Sequence, residues 1–239
     1  MAKLNFKCFS MTVILTIMFL VFVEKSWTQG KKITTYQLVK EITEPRRWNN
    51  SDNKVEVIYY FWYGCPSCKL IDNYVTNIAK KFPEGTRFKK IPMVFPDNNV
   101  SREHAILFWT LEKMRIEESV RKNIFEAILP SNIIGPVTPQ LVTLEAQIEF
   151  VKANQLNVDE FVAIRTSPYI SDMLQKTFDN LSHINVDITP FFLVNGRYVV
   201  IIDENRPVSD FLFETLRLLK EEFAKSIINN SPNSIIIGK

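Results

Sequence analysis

From Lys54 to Trp62 the chain runs through Val, Ile, Tyr and Phe, with Glu56 as the one polar residue inside the run. Such a segment is too continuous for an amphipathic surface strand and reads as a central strand buried on both faces. Gly64 breaks it, and Cys65-Pro66-Ser67-Cys68 follows at once. From Pro66 to Phe82, residues Leu70, Ile71, Tyr74, Val75, Ile78, Ala79 and Phe82 recur at helical spacing. Pro83-Glu84-Gly85 ends that helix, and Thr86 to Phe95 alternates and returns as a strand. Two cysteines therefore stand where a buried strand turns into a helix, an α/β arrangement that favours reversible disulfide chemistry.

The cysteine count supports this. Of three cysteines, Cys8 lies in the N-terminal apolar segment, which leaves Cys65 and Cys68. Structural zinc takes four ligands, and these two with the distant His104 and His183 have no ligand spacing, so no metal is expected. A disulfide-stapled mini-protein needs more bridges in a shorter chain. At a helix start the first sulfur meets unpaired backbone N–H groups and the positive end of the dipole, which favour thiolate over thiol. Cys65 is thus expected to be the exposed nucleophile, with Cys68 as the more buried partner that resolves mixed disulfides.

Lys3 and Lys7 precede an apolar run from Met11 to Val23, which Glu24, Lys25 and Ser26 break. The run is shorter than the roughly 20 residues a spanning helix needs, so residues 1–29 read as an export signal, with an uncleaved anchor as the alternative. Net charge is +3, and most of it falls in that segment, so nothing suggests nucleic-acid binding. Thr34 to Glu41 reads as a short first strand or an extended lead-in.

From about Ser101 to Leu181 the pattern is almost wholly helical, in segments 101–115, 117–130, 138–153, 157–165 and 168–181. Pro139 and Pro168 suit first-turn positions behind Thr138 and Ser167 as N-caps. This block exceeds a simple crossover and reads as an inserted helical subdomain. Phe191 to Val194 and Arg197 to Ile202 then flank Asn195-Gly196, a hairpin signal. Pro207 to Ala224 is a last amphipathic helix, with Phe211, Leu212, Leu216, Leu219 and Phe223 on one stripe, and residues 229–239 form a loosely ordered tail. Thr189-Pro190 opens the first strand of the hairpin. A cis bond there, close to the cysteines, would leave the Thr189 backbone free to pair with an extended substrate.

The motifs Phe61-x-x-Gly-Cys-Pro-Ser-Cys68 and Thr189-Pro-x-Phe-x-Val-Asn-Gly196 resemble those of the thioredoxin superfamily, and the intervening helical block resembles the DsbA-like proteins. The resemblance covers roughly residues 35–225. It implies a thioredoxin-like α/β fold with an inserted all-helical subdomain: a first part at 30–97, the insertion at 98–183, a second part at 184–226 and a tail at 227–239. It further implies a periplasmic oxidoreductase that passes the Cys65–Cys68 disulfide to reduced exported proteins. A DsbB-like membrane partner would reoxidise it, and no cofactor is needed. Pro66 and Ser67 would tune the pair; Thr189 and Pro190 would bind substrate.

Three departures bear on this. Ser67 stands where relatives usually carry histidine, which helps hold the thiolate. Tyr59, six residues before Cys65, stands where the superfamily commonly has a buried acid, whose charge destabilises a nearby thiolate but accepts protons. Thr189 rather than Val precedes the proline, as in isomerase and reductase branches. The first two act in opposite directions, and a Cys65 pKa below 7 is expected. Disulfide isomerase or reductase activity, or a non-catalytic chaperone-like binder with a static disulfide, are the alternatives. An isomerase or reductase would require dimerisation or a membrane electron donor. Trp62 and Tyr63 read as core aromatics, with a substrate groove as the other option. His104 reads as solvated or capping, and the Asn-x-Ser sequences at Asn49, Asn99, Asn180 and Asn229 as chance.

Overall fold

The computed structural model describes residues 39–48, 54–131, 140–202 and 206–229. The expected signal at 1–29, the stretch 34–38, the Thr138-Pro139 cap and the tail from 230 lie outside these residues.

Five strands form one sheet in the order β1-β5-β4-β2-β3. Strand β2 (Val55–Phe61) has every residue buried, as its unbroken apolar run requires. It pairs in parallel with β3 (Thr86–Pro92), from Val55↔Thr86 to Phe61↔Pro92. On its other edge it pairs antiparallel with β4 (Phe191–Val194). Strand β5 (Tyr198–Ile201) continues the hairpin, and β1 (Val39–Glu41) closes that edge.

The turn at Asn195-Gly196 has both residues at positive φ, 50° and 67°, and Arg197 N–H donates to Val194 O at 2.9 Å. The ladder nevertheless opposes Val194 to Tyr198, so Arg197 is an extra residue and the connection spans three residues rather than two. Gly196 is required twice over: by its φ, and because a Cβ would sit 2.3 Å from the Arg46 carbonyl oxygen.

Helix α1 (Pro66–Ala79) follows β2 directly. Between β3 and β4 lie α2 (Asn99–Lys113), α3 (Glu117–Ile128), α4 (Leu144–Ala153), α5 (Val158–Arg165) and α6 (Pro168–Ile184), and α7 (Val208–Asn229) ends the described chain. Asn98 and Asn157 cap α2 and α5, accepting from Ser101 N–H at 2.9 Å and Glu160 N–H at 3.1 Å.

In the insertion, the start of α4, the end of α6 and the cap at Ser167 depart from expectation. Helix α4 starts at Leu144 rather than 138: Thr143 takes the cap, accepting from Ala146 N–H at 3.2 Å, and Leu141 holds a left-handed φ of 60° that no helix admits. Helix α6 begins at Pro168 as expected, but the Ser167 hydroxyl donates back to Ile164 O at 2.6 Å instead of capping. It runs on to Ile184, whose side chain is buried, and stops where Asn185 turns left-handed.

The insertion shares its core with the sheet. Residues Ala105 to Leu111 of α2 are all buried. Trp109 stacks on Trp48 with centroids 5.7 Å apart, and Phe108 meets Phe61 of β2 edge-on at 5.5 Å. All described residues fall within one compact unit.

Candidate active site

Cys65 is the N-cap of α1. Its backbone is extended (φ −98°, ψ 114°), Pro66 occupies the first turn, and Cys65 Sγ accepts from Cys68 N–H at 3.2 Å. Proline suits that position because its missing N–H would have had no partner. No Asp or Glu stands in the first turn. Across the site, Cys65 Sγ lies 3.7 Å from Thr189 O, and the Thr189-Pro190 bond is cis. The two motifs separated in sequence therefore meet in space at one sulfur.

Both cysteines are free thiols. Cys68 is wholly buried, and Cys65 retains 7% of its surface. The expectation of an exposed Cys65 is corrected accordingly: the turn and the Thr189 loop cover all but a small part of it. The hydrogen bond from the Cys68 thiol holds Cys65 down to about 7. Burial works against this, while the Thr189 side chain and the N–H groups of Cys68 and Ser67 assist it. Burial, then the bond to Cys65 and its charge, push Cys68 well above the ordinary thiol range.

Tyr59 is fully buried on β2, and its hydroxyl has no hydrogen-bond partner among the described residues. Burial raises its pKa well above the tyrosine range; Cys68, Asp72 and Cys65 push the same way and Arg121 opposes.

Sequence reading missed a buried ionic cluster behind the pair. Arg121 of α3 donates through Nε to Asp72 Oδ1 of α1 at 2.7 Å and through Nη1 to Glu117 Oε1 at 2.7 Å. Tyr63, two residues before Cys65, donates its hydroxyl to the same Glu117 oxygen. The guanidinium lies 3.9 Å from the centre of the Phe61 ring. Glu117 and Arg121 are four apart on one helix, a spacing that announces an ion pair but not its burial. Tyr63 is thereby a core residue, while Trp62 is half-buried and packs edge-on against Phe95 at 5.7 Å.

His104 is neither solvated nor a cap. It is 1% exposed, and Nε2 donates to Gln140 O at 2.8 Å, which assigns the proton to that nitrogen. Its ring lies 6.1 Å from Trp62 and 6.4 Å from Tyr63, and burial lowers its pKa. His183 is exposed on α6. Among the described residues no cluster of His, Cys, Asp or Glu is arranged to hold a metal ion.

No protein-family model matches the chain. It is 26% identical over 197 residues to the thiol:disulfide interchange protein DsbA of Pseudomonas aeruginosa, spanning 80% of this chain and 86% of that one. To the DsbA of Azotobacter vinelandii it is 30% identical over 145 residues, 61% of this chain and 64% of the relative. The crystal structure of a single-substitution variant of P. aeruginosa DsbA superposes with a TM-score of 0.70 at 25% identity, covering 78% of this chain and 96% of that one. The DsbA of Xylella fastidiosa gives 0.68 at 25% identity, with 78% and 95% covered. Sequence and backbone agree over most of the length of these relatives, and the chain is a DsbA-like thiol–disulfide oxidoreductase of thioredoxin-like fold with a helical insertion.

Proposed function

We propose that the protein is a periplasmic oxidase that donates its Cys65–Cys68 disulfide to reduced exported proteins through a mixed disulfide at Cys65. The observation that carries this reading is the asymmetry of the pair. One sulfur caps a helix, keeps some access to solvent and has its thiol held down to about 7; the other is sealed and held as a thiol. The accessible sulfur is the one an incoming thiolate attacks. The buried one is the leaving group and later the resolving nucleophile.

Ser67 and Pro66 shape the turn between them, and the Thr189 carbonyl, 3.7 Å from Cys65 Sγ, supplies backbone for an extended client segment. Apolar surface flanks the sulfur: Pro66 and Leu70, four apart on α1, are exposed, as is Ile188 beside Thr189. Such a rim suits unfolded chains, which present apolar segments. No described helix is long and apolar enough to cross a membrane. In this reading residues 1–29 direct export, residues 98–183 are the inserted subdomain, and a DsbB-like membrane protein restores the disulfide.

The test is oxidative refolding of a reduced, unfolded substrate. The disulfide form is expected to transfer one disulfide per molecule. Cys65→Ser removes activity, and Cys68→Ala, loaded beforehand as a Cys65–glutathione mixed disulfide, exchanges with a substrate thiol, releasing glutathione and leaving a Cys65–substrate mixed disulfide. Full activity in the Cys65→Ser variant would leave only a chaperone-like binder. Strong insulin reduction with weak substrate oxidation would identify a reductase or isomerase instead.

A further inference from the structure

The cysteine turn is closed on itself by local bonds: Cys65 N–H donates to Trp62 O and Lys69 N–H to Cys65 O, each at 3.1 Å. A distant element grips it from both sides as well. Tyr63, two residues before Cys65, donates its hydroxyl to Glu117 Oε1. Asp72, four residues after Cys68 on α1, accepts from Arg121 Nε at 2.7 Å. Arg121 Nη1 donates to the same Glu117 oxygen at 2.7 Å, so both flanks of the turn end on one guanidinium of α3. That guanidinium is seated on the ring of Phe61, the last residue of β2, 3.9 Å from its centre. The Tyr63 ring meets Phe125, one turn further along α3, edge-on at 5.2 Å. Tyr63, Glu117 and Arg121 are all buried. Charge-assisted hydrogen bonds shut off from water are strong and tolerate little change in geometry.

We propose that Tyr63, Glu117, Arg121 and Asp72 form a clamp by which the helical insertion holds the cysteine turn at the spacing of the closed disulfide. They are positioning residues for the step in which Cys68 displaces a partner from Cys65. This rests on the oxidoreductase reading above and adds to it. With glutathione as the partner, the Cys65 thiolate attacks glutathione disulfide. The Cys65–glutathione bond forms, the glutathione S–S bond breaks, and one glutathione leaves as a thiolate. Cys68 then loses its proton to solvent and attacks Cys65 Sγ. The Cys65–Cys68 bond forms, the Cys65–glutathione bond breaks, and the second glutathione leaves as a thiolate. The protein loses two electrons and glutathione disulfide gains them.

The clamp acts on the second step and not on the first. In the mixed disulfide no covalent bond joins the two cysteines, so the spacing of the turn depends on its flanks. In the closed form the S–S bond holds that spacing with or without the clamp. Ordering a stretch of backbone costs conformational entropy. With the clamp in place that ordering precedes the attack of Cys68, which raises the effective concentration of one sulfur at the other. A partner stalled on Cys65 is thereby released sooner. The first step involves Cys65 alone, and its equilibrium does not contain the spacing to Cys68.

The experiment separates the two equilibria. In a Cys68→Ala background, glutathione titration gives the constant for the mixed disulfide at Cys65. With both cysteines present it gives the product of that constant and the closure constant. Both are measured for the parent, for Tyr63→Phe, which deletes one hydroxyl, and for Asp72→Ala, which frees the other flank. Glu103→Gln is the control: it weakens the 2.6 Å Arg165–Glu103 pair between α2 and α5, which includes no residue of the clamp. Thermal unfolding confirms that each variant folds, and if one does not, the other decides. Tyr63→Phe and Asp72→Ala are each expected to lower the closure constant about fivefold, the order of one lost hydrogen bond, and to keep the mixed-disulfide constant of the parent. Their combination should lose little more than either alone, since a clamp fails when one side opens. Glu103→Gln should keep both constants. An unchanged closure constant in either folded clamp variant overturns the proposal. So does a loss that falls on the mixed-disulfide constant instead, or an equal loss in Glu103→Gln. A parent protein that does not exchange with glutathione at all overturns the oxidoreductase reading itself, and is seen before any variant is compared.

Discussion

At the scale of single residues the chemistry rests on unequal sulfurs. Alkylation of the reduced protein should follow one titration with a midpoint near 7 at Cys65, with Cys68 unreactive until well above the ordinary thiol range. Mass spectrometry of the two cysteine peptides against pH checks both. The depressed pKa also makes stability depend on pH. In the unfolded chain the thiol titrates near 8.5, so above that pH both states hold a thiolate and the native contribution is complete. It is lost as pH falls through about 7. Raising pH from 6 to 9 should therefore stabilise the reduced protein relative to Cys65→Ser by on the order of 2 kcal/mol. Denaturant midpoints at the two pH values measure it. His104 acts with the same sign: its pKa is lowered, so native stability falls as pH drops below about 6.5, and His104→Phe should flatten that fall.

At the scale of elements, the Arg121 cluster joins α1, α3 and the turn before Cys65. Arg121 and Glu117 are 2% and 3% exposed, so removing one partner strands a charge in the core. Arg121→Ala should cost about 3–5 kcal/mol in urea unfolding, and adding Glu117→Gln should return part of that loss. This cluster marks the limit of what the sequence reveals. The strand, turn and helix from Val55 to Ala79 are legible because each follows from local periodicity and from residues within a few positions. Cys65 and Cys68 are legible for the same reason, and Thr189-Pro190 through its place before an apolar strand. Asp72, Glu117 and Arg121 look like ordinary surface charges of amphipathic helices. Their burial depends on how α3 docks on α1, a contact 49 residues long in sequence between Asp72 and Arg121. The burial of His104 escapes the sequence on the same ground. Its neighbour Glu103 suggests a wet helix face, but α2 is enclosed by the sheet on one side and α4 to α6 on the other, and residues 105–111 are buried all round.

At the scale of the whole molecule, the insertion is not an appendage. Trp109 of α2 stacks on Trp48, Phe125 of α3 lies 5.2 Å from Tyr63, and Lys69 of α1 donates to Leu129 O at the end of α3 at 2.6 Å. Unfolding should therefore be one cooperative transition, with far-UV circular dichroism and tryptophan fluorescence giving the same denaturant midpoint. Two separated midpoints would mean that the helices melt independently of the sheet.

One further consequence concerns the cap of α1. The group that accepts the Cys68 N–H is Cys65 Sγ, so the helix is terminated by the atom whose bonding changes in each cycle. A sulfur tied into a disulfide accepts poorly, while a thiolate accepts well. Oxidation is therefore expected to weaken this cap hydrogen bond, and reduction to strengthen it. Deuterium uptake at the Cys68 amide would report the redox state of the protein directly, slow in the dithiol and fast in the disulfide.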